Sequence, residues 1–262
     1  MKLLLITISA LLLLPNFFNV HLEQTPQYDH KELFDPSLAY INSTDKLIAT
    51  SDSIAGKNNI ATNSFGYALL VSHLLRERFY HGFSRYPLNQ NWIAATGEYF
   101  FGYGLASIVK PDDILKYSFG GCSQQSMVLM DVMKRKNIPY RFVGFPHHYA
   151  TELMFEGKWY FFDPNMEPNI PDSDRLESKW SCCADSLKKY YDTTRFKDLD
   201  WKFGKNLHVT VGNVNAPTAP NASLFHTTTK YLSKTLWLFP LLVVFARRKK
   251  ISNRAKYFTP RN

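Results

Sequence analysis

The sequence predicts an α+β domain in which a cysteine-bearing helix packs on an antiparallel sheet, and three observations carry that prediction. After Gly120-Gly121-Cys122, the run Ser123 to Arg135 places Met127, Val128, Leu129, Met130, Val132 and Met133 where an apolar helix with one buried face needs them. Tyr140 to Phe145, His148 to Phe155 and Lys158 to Phe162 then read as three strands, turned at Pro146-His147 and at Glu156-Gly157. Upstream, Asn63-Ser64 offers a cap to a helix over Phe65 to Phe79, with Tyr67, Leu70, Val71, Leu74 and Leu75 at helical spacing.

Taken in order, the chain opens with Met-Lys, the apolar run Leu3 to Leu14 and Pro15, the pattern of a secretory signal. No small-x-small cleavage site follows, so residues 1–20 are expected to be a signal peptide or an uncleaved amino-terminal anchor. Residues 21–214 form the expected domain, with its core at about 65–165. Its first part, to Asn63, is polar and turn-rich, with one helix from Asp45 to Ala55 ending at Gly56. Tyr80 to Asn91 has turn chemistry. Trp92 to Val109 reads as a buried helix interrupted near Gly102 and Gly104, its aromatics expected in the core ahead of a substrate groove. Pro111 starts a short turn of helix ending at Tyr117.

Beyond Asp163, a loop runs to Ser173. Asp174 to Tyr191 has helical content with Trp180, Leu187 and Tyr190 as core contacts, and Asn206 to Val214 alternates like an edge strand. Residues 215–230 read as a linker with Pro217 and Pro220. Residues 231–246 are a candidate transmembrane helix, short at about 24 Å against a hydrocarbon core of roughly 30 Å. Residues 247–262 would be a basic cytoplasmic tail. Together the two ends predict an exported protein held to the membrane by its carboxy-terminal helix, with the domain on the extracytoplasmic side, periplasmic or at the cell surface.

The formal charge of +9 invites a nucleic-acid reading, which its distribution removes. All 22 acidic residues lie in residues 1–200 beside 20 basic ones, whereas the last 62 residues hold 11 basic residues and no acid. The folded part is therefore nearly neutral and lacks a source for the counterion release that drives nucleic-acid affinity. Phosphate-cradling glycine loops and dinucleotide fingerprints are missing from the sequence, and neither a cofactor nor a metal is expected.

The chemistry concentrates between Gly120 and Asn165. Cys122 sits at a helix amino terminus, where unpaired backbone N–H groups and the positive end of the macrodipole favour a thiolate. The two preceding glycines allow close backbone approach and unusual φ values. In a hairpin turning at Glu156-Gly157, His148 and Asp163 fall within a diagonal step of each other, so a carboxylate can bond one imidazole nitrogen while the other faces the thiol. His147 alternates to the opposite face, and a His-His-Cys metal site lacks its further ligand. The adjacent Cys182 and Cys183 read as a small buried pair or an exposed liability.

Gly121-Cys122, His148 with Glu152 four residues later, Gly157-Lys158-Trp159-Tyr160 and Asp163-Pro164 together resemble the transglutaminase-like domain over roughly residues 65 to 165. Two departures are Gln124-Gln125 after the cysteine and Tyr149-Ala150 after the histidine. The resemblance implies a papain-like arrangement, with Cys122 as nucleophile, His148 as base and acid, and Asp163 as the orienting residue. It implies a cysteine hydrolase, a peptidase or amidase acting on a protein or peptide through an acyl-thioester. The alternatives are a crosslinking transglutaminase and a non-catalytic membrane-anchored binding module of the same fold. For the oxyanion, the Cys122 N–H is a natural donor, and Tyr117 and Gln124 stand open as the second. The groove walls are expected between Trp92 and Tyr117. Trp159 reads as hairpin packing, and Glu152 as a hairpin stabiliser or groove-lining residue.

Overall fold

A computed structural model describes residues 1–181, 185–193, 196, 198–204 and 209–246. The described chain is a mixed α+β structure that divides into two compact units. One comprises Thr25–Ser84 and Ile108–Ala219 and holds all three residues of the expected triad. The other comprises Met1–Gln24, Arg85–Ser107 and the chain from Pro220 onward. In chain order the helices are α1 (Lys2–Leu13), α2 (Thr44–Lys57), α3 (Phe65–Arg78), α4 (Leu88–Phe101), α5 (Pro111–Ile114), α6 (Cys122–Arg135), α7 (Glu177–Trp180), α8 (Asp185–Lys188), α9 (Leu199–Phe203) and α10 (Pro220–Thr235). The strands are β1 (Tyr80–His81), β2 (Phe119–Gly120), β3 (Tyr140–Phe145), β4 (His148–Phe155), β5 (Lys158–Phe162) and β6 (Thr210–Val211).

In the first unit, local chemistry sets the helix ends. Ser43 Oγ accepts from the Lys46 N–H to start α2, and Ser64 Oγ accepts from the Tyr67 N–H to start α3, each satisfying one orphan donor. Helix α6 carries Lys134 and Arg135 in its last turn, where they complement the dipole, and Asn137 beyond it takes a left-handed φ of 56°. The main sheet runs β5-β4-β3-β6, all antiparallel. Its β4–β5 hairpin closes on Glu156 (φ 52°) and Gly157 (φ 73°), the pair of positive φ values a two-residue turn of matching twist requires. That register pairs Thr151 with Phe162 and Phe155 with Lys158, so Asp163 lies a diagonal step from His148.

Both faces of this sheet are covered. On one, Val143, Phe145, Ala150 and Phe161 pack with Met166, Ile170, Trp180, Leu187, Tyr191, Leu199 and Phe203. On the other, Phe65 of α3 meets Phe155, Tyr160 and Phe162 edge-on or tilted. The segment Asn206 to Val214 falls partly outside the described residues, with its Thr210–Val211 part pairing with β3. Cys182 and Cys183 also lie outside them.

The chain leaving β5 is pinned by a buried arginine. Arg175 donates through Nη1 to the Phe161 carbonyl (3.0 Å), through Nη2 to Glu167 Oε1 (2.7 Å) and the Pro168 carbonyl (3.1 Å), and through Nε to the Ile170 carbonyl (3.3 Å). Ser72 Oγ donates to the other oxygen of Glu167, and Arg76 Nη1 donates to the Glu167 carbonyl at 2.9 Å. Removing one partner of such a buried pair strands the other charge, so Arg175→Met is expected to cost about 3–5 kcal/mol. Chemical denaturation of the variant beside the parent chain measures it. A loss below about 1 kcal/mol would show that the network does not hold this loop.

The second unit corrects two expectations. Residues 231–246 do not form a membrane span: α10 ends at Thr235, residues 236–237 are a turn, and the chain is helical again over 238–246. Among the described residues no helix is long and apolar enough to cross a membrane. The turn at 236–237 breaks the apolar run, and α10 before it buries a polar stripe. His226, Thr229 and Ser233 are the buried face of α10, where His226 Nε2 bonds the Leu105 carbonyl (2.8 Å) and Thr229 Oγ1 accepts from Asn91 Nδ2 (2.9 Å). Ser233 Oγ accepts from the Ile93 N–H (3.2 Å), and its carbonyl accepts from Trp92 Nε1 (3.0 Å). A helix that buries polar groups against protein hydrogen bonds is a packed helix. The carboxy-terminal anchor, the membrane as partner and the membrane-anchored extracytoplasmic location go with it. The basic tail 247–262 lies outside the described residues. Residues 220–230, read as linker, form the first turns of α10.

The second correction concerns the aromatics of α4. Tyr99, Phe100 and Phe101 are exposed, and Tyr103 beyond the Gly102 cap is 93% exposed, while Asn91, Ala94, Ala95 and Glu98 form the buried face. Ahead of α4, the chain after α1 makes a turn at Leu14–Phe17. The carbonyls of Phe18 and Val20 then accept from the N–H groups of Asn89 and Leu88, both at 2.9 Å.

Candidate active site

Cys122, His148 and Asp163 converge. The cysteine is the first residue of α6, half-buried and free. His148 and Asp163 are buried, and Asp163 Oδ2 bonds His148 Nε2 at 2.7 Å. The same oxygen accepts from the Tyr191 hydroxyl at 2.8 Å, and Oδ1 accepts from the Met166 N–H at 3.3 Å. Nδ1 of His148 makes no hydrogen bond of regular geometry and faces the Cys122 thiol, the loose arrangement that catalytic pairs often show before substrate binds.

The electrostatics follow from these contacts. Burial pulls the His148 pKa down, but the Asp163 carboxylate, by charge and hydrogen bond, together with Cys122, outweighs it and raises the value to about 9. Burial pushes the Cys122 thiol up. The loose contact with the His148 imidazole, its charge and the Tyr149 backbone N–H overcome that and the Asp163 charge, so the thiol falls below its ordinary value. Burial likewise pushes Asp163 up, against the stronger pull of the His148 charge and the bonds from His148, Tyr191 and Met166, and its pKa is lowered. All three shifts favour one state, a thiolate beside an imidazolium held by a carboxylate.

Gly121 has an ordinary φ of −71°, so its role is close approach and not backbone freedom. A Cβ there would lie 2.6 Å from Phe83 Cε1, so only glycine lets the Phe83 ring cover the backbone next to Cys122. Gln124 caps α6: its Oε1 accepts from the Gly121 N–H (3.1 Å) and the Ser84 N–H (2.9 Å), and its Nε2 donates to the Ser84 and Ile108 carbonyls (2.9 and 2.8 Å). With both amide protons committed, Gln124 has none for an oxyanion. Tyr117 packs edge-on against Phe119.

His147 is exposed and stacked on Trp201 (4.0 Å between centroids, 1° between planes), clear of the triad. Glu152 is buried on β4 and bonded to Arg141 (2.8 Å), and the Arg141 guanidinium lies 4.3 Å over the Trp159 ring, so both serve the hairpin as packing. Burial pushes the Glu152 carboxyl up, Arg141 pulls it down and Glu177 pushes it up again, leaving it at about 7. Within this unit the chain beside Cys122 is residues 80–84, through the parallel pairs Tyr80 with Phe119 and His81 with Gly120. Residues 92–107, expected as groove wall, belong to the other compact unit.

Sequence reasoning missed Tyr191, which is 28 residues from Asp163 and carries no motif. Among the described residues no group of three His, Cys, Asp or Glu side chains is placed to hold a metal ion. No family model matches the chain, and no curated protein or solved structure matches it.

Proposed function

We propose that the chain is a thiol-dependent acyl-transfer enzyme with a Cys122-His148-Asp163 triad on a papain-like, transglutaminase-like core, acting as an amide hydrolase. The observation that carries the reading is the coupled trio: a half-buried thiol whose pKa is lowered, an imidazole raised to about 9, and a buried carboxylate 2.7 Å from the far imidazole nitrogen.

In the first half-reaction the Cys122 sulfur bonds the carbonyl carbon as the π pair moves to oxygen. When the carbonyl re-forms, the C–N bond breaks and the amine leaves with the proton of the His148 imidazolium, giving a thioester. In the second, water adds to the thioester, His148 takes its proton, and the acid is released as the sulfur recovers its electron pair. The Cys122 N–H at the start of α6 is the backbone donor for the oxyanion. An amine replacing the water gives amide transfer from the same thioester.

p-Nitrophenyl acetate tests the reading directly. A burst of about one equivalent of p-nitrophenolate is expected, with the acetyl group found on Cys122 by peptide mapping. No burst, or acetyl on another residue, removes the enzyme assignment.

A further inference from the structure

Phe83 is a large apolar residue left 38% exposed beside Cys122, and the chain on either side of it is tied down. Its Cε1, Cδ1 and Cζ would stand 2.6, 2.8 and 2.9 Å from a Cβ on Gly121, so one edge of the ring rests over that residue. On the carboxy side, the Ser84 N–H donates to Gln124 Oε1 and the Ser84 carbonyl accepts from Gln124 Nε2, both at 2.9 Å, which fastens the segment to the first turn of α6. On the amino side, Tyr80 and His81 pair with Phe119 and Gly120. Gly82, at a φ of 151°, leaves the Pro26 ring the space a Cβ would take. Single apolar residues at a surface are ordinary. Phe83 differs because Gly121, at a φ of −71° that any residue adopts, makes room for its ring and not for an unusual backbone.

The Cys122 N–H, the oxyanion donor, belongs to the peptide that joins Cys122 to Gly121, the residue under the ring. A carbonyl oxygen bonded there at about 2.9 Å holds its carbon within about 4 Å of the same nitrogen. Of the four groups on the tetrahedral carbon, the sulfur belongs to Cys122, the oxygen is held by that N–H, and the nitrogen is drawn to His148 for its proton. The acyl chain is the fourth, and it is the group left to meet the ring over Gly121. A methylene chain laid on the exposed part of the ring takes apolar area of both out of water. An ionised chain would be desolvated there against a ring that offers no counter-charge.

We infer that Phe83 is a specificity-determining residue whose exposed ring forms the acyl-side subsite and selects substrates carrying an uncharged, apolar chain on the reacting carbonyl. The inference rests on the acyl-transfer reading above.

The test compares p-nitrophenyl butyrate with p-nitrophenyl acetate. In each, the Cys122 sulfur bonds the acyl carbon and p-nitrophenolate leaves with the electron pair of the ester C–O bond, so no amine takes part. Each burst rate is divided by the rate of the same ester with N-acetylcysteine, which removes the difference in intrinsic reactivity. A methylene is worth about fourfold when fully covered and about twofold when half covered, so the two further methylenes of butyrate are expected to give a preference of about 4- to 16-fold. Phe83→Ala is expected to bring the butyrate-to-acetate ratio close to unity, and Phe83→Leu to keep part of it. If Phe83→Ala does not fold, Phe83→Leu carries the comparison with the smaller fall. A parent chain without the preference, or variants that slow both esters equally, overturns the inference. So does a ratio that survives both substitutions while the partition of acetyl-Cys122 between methylamine and butylamine changes, since the ring then lies on the amine side. A parent chain that gives no acyl-Cys122 with either ester fails the acyl-transfer reading itself, so the two failures are distinguishable.

Discussion

Iodoacetamide is expected to alkylate Cys122 readily at pH 6, and His148→Ala to slow that alkylation by about two orders of magnitude. Two of the influences that hold the thiol below its ordinary pKa come from His148, its close contact and its charge. Without the imidazole, burial is left as the dominant influence and pushes the thiol up. An ordinary thiol with a pKa near 8.5 is ionised to about one part in three hundred at pH 6, which sets the upper limit of the expected loss. The pH profile gives the sign. Reactivity in the parent chain should rise through the lowered thiol pKa, hold across neutrality, and lose its imidazolium as pH passes about 9. Equal rates for parent and variant at pH 6 would mean that His148 does not ionise the thiol.

The same shifts bear on stability. The folded pKa of His148 lies above its unfolded value, so its contribution is fully present below about 6.5 and is lost as pH rises through about 9. Asp163 is depressed, so its contribution is present above the ordinary carboxylate value and is lost as pH falls through the folded one. The two windows overlap in full from the ordinary carboxylate value up to about 6.5, and the ion pair's contribution fades from there as pH rises through about 9.

What the sequence made legible was what local chemistry decides. The bounds of β3, β4 and β5 follow from alternation and from the Glu156-Gly157 turn, and the amino terminus of α6 follows from Gly121-Cys122. The hairpin then fixes the approach of Asp163 to His148 by arithmetic, because residue register in a tight hairpin leaves no freedom. What remained hidden was decided by distant partners. Gln124 looked available for an oxyanion until Ser84 and Ile108 claimed its amide. The 231–246 stretch looked membrane-like because hydropathy averages over a window, whereas the chain divides it at a turn over 236–237 into the end of α10, a helix whose buried face carries His226, Thr229 and Ser233, and a further helical stretch. Phe100 and Phe101 look like core by type, yet α4 turns Ala94, Ala95 and Glu98 inward. A residue's type states what it can bury, and the packing of other segments decides whether it does.

Asp163→Asn is expected to lower acyl-enzyme formation by about 10³- to 10⁴-fold while leaving the chain folded. The carboxylate accepts from His148 Nε2–H and so leaves the lone pair on Nδ1, the nitrogen that faces the thiol. An asparagine amide turned toward Nε2 donates to it and moves the ring proton to Nδ1, where it cannot take a proton from Cys122. Loss of the charge also removes the largest influence raising His148, so its pKa, followed by NMR, should fall from about 9 to below the ordinary histidine value as burial takes over. Tyr191→Phe removes a single donor to Oδ2 and leaves the charge in place. One hydrogen bond to a charged group is worth about 1.5–3 kcal/mol, so a loss of at most about 10- to 100-fold is expected, with the His148 pKa slightly higher because the freed carboxylate bonds the imidazolium more strongly. The two variants therefore move the His148 pKa in opposite directions while both slow the reaction, which a general loosening of the fold would not do. Rates that track thermal stability across both variants, with the His148 pKa unmoved, would reduce Asp163 to a structural residue.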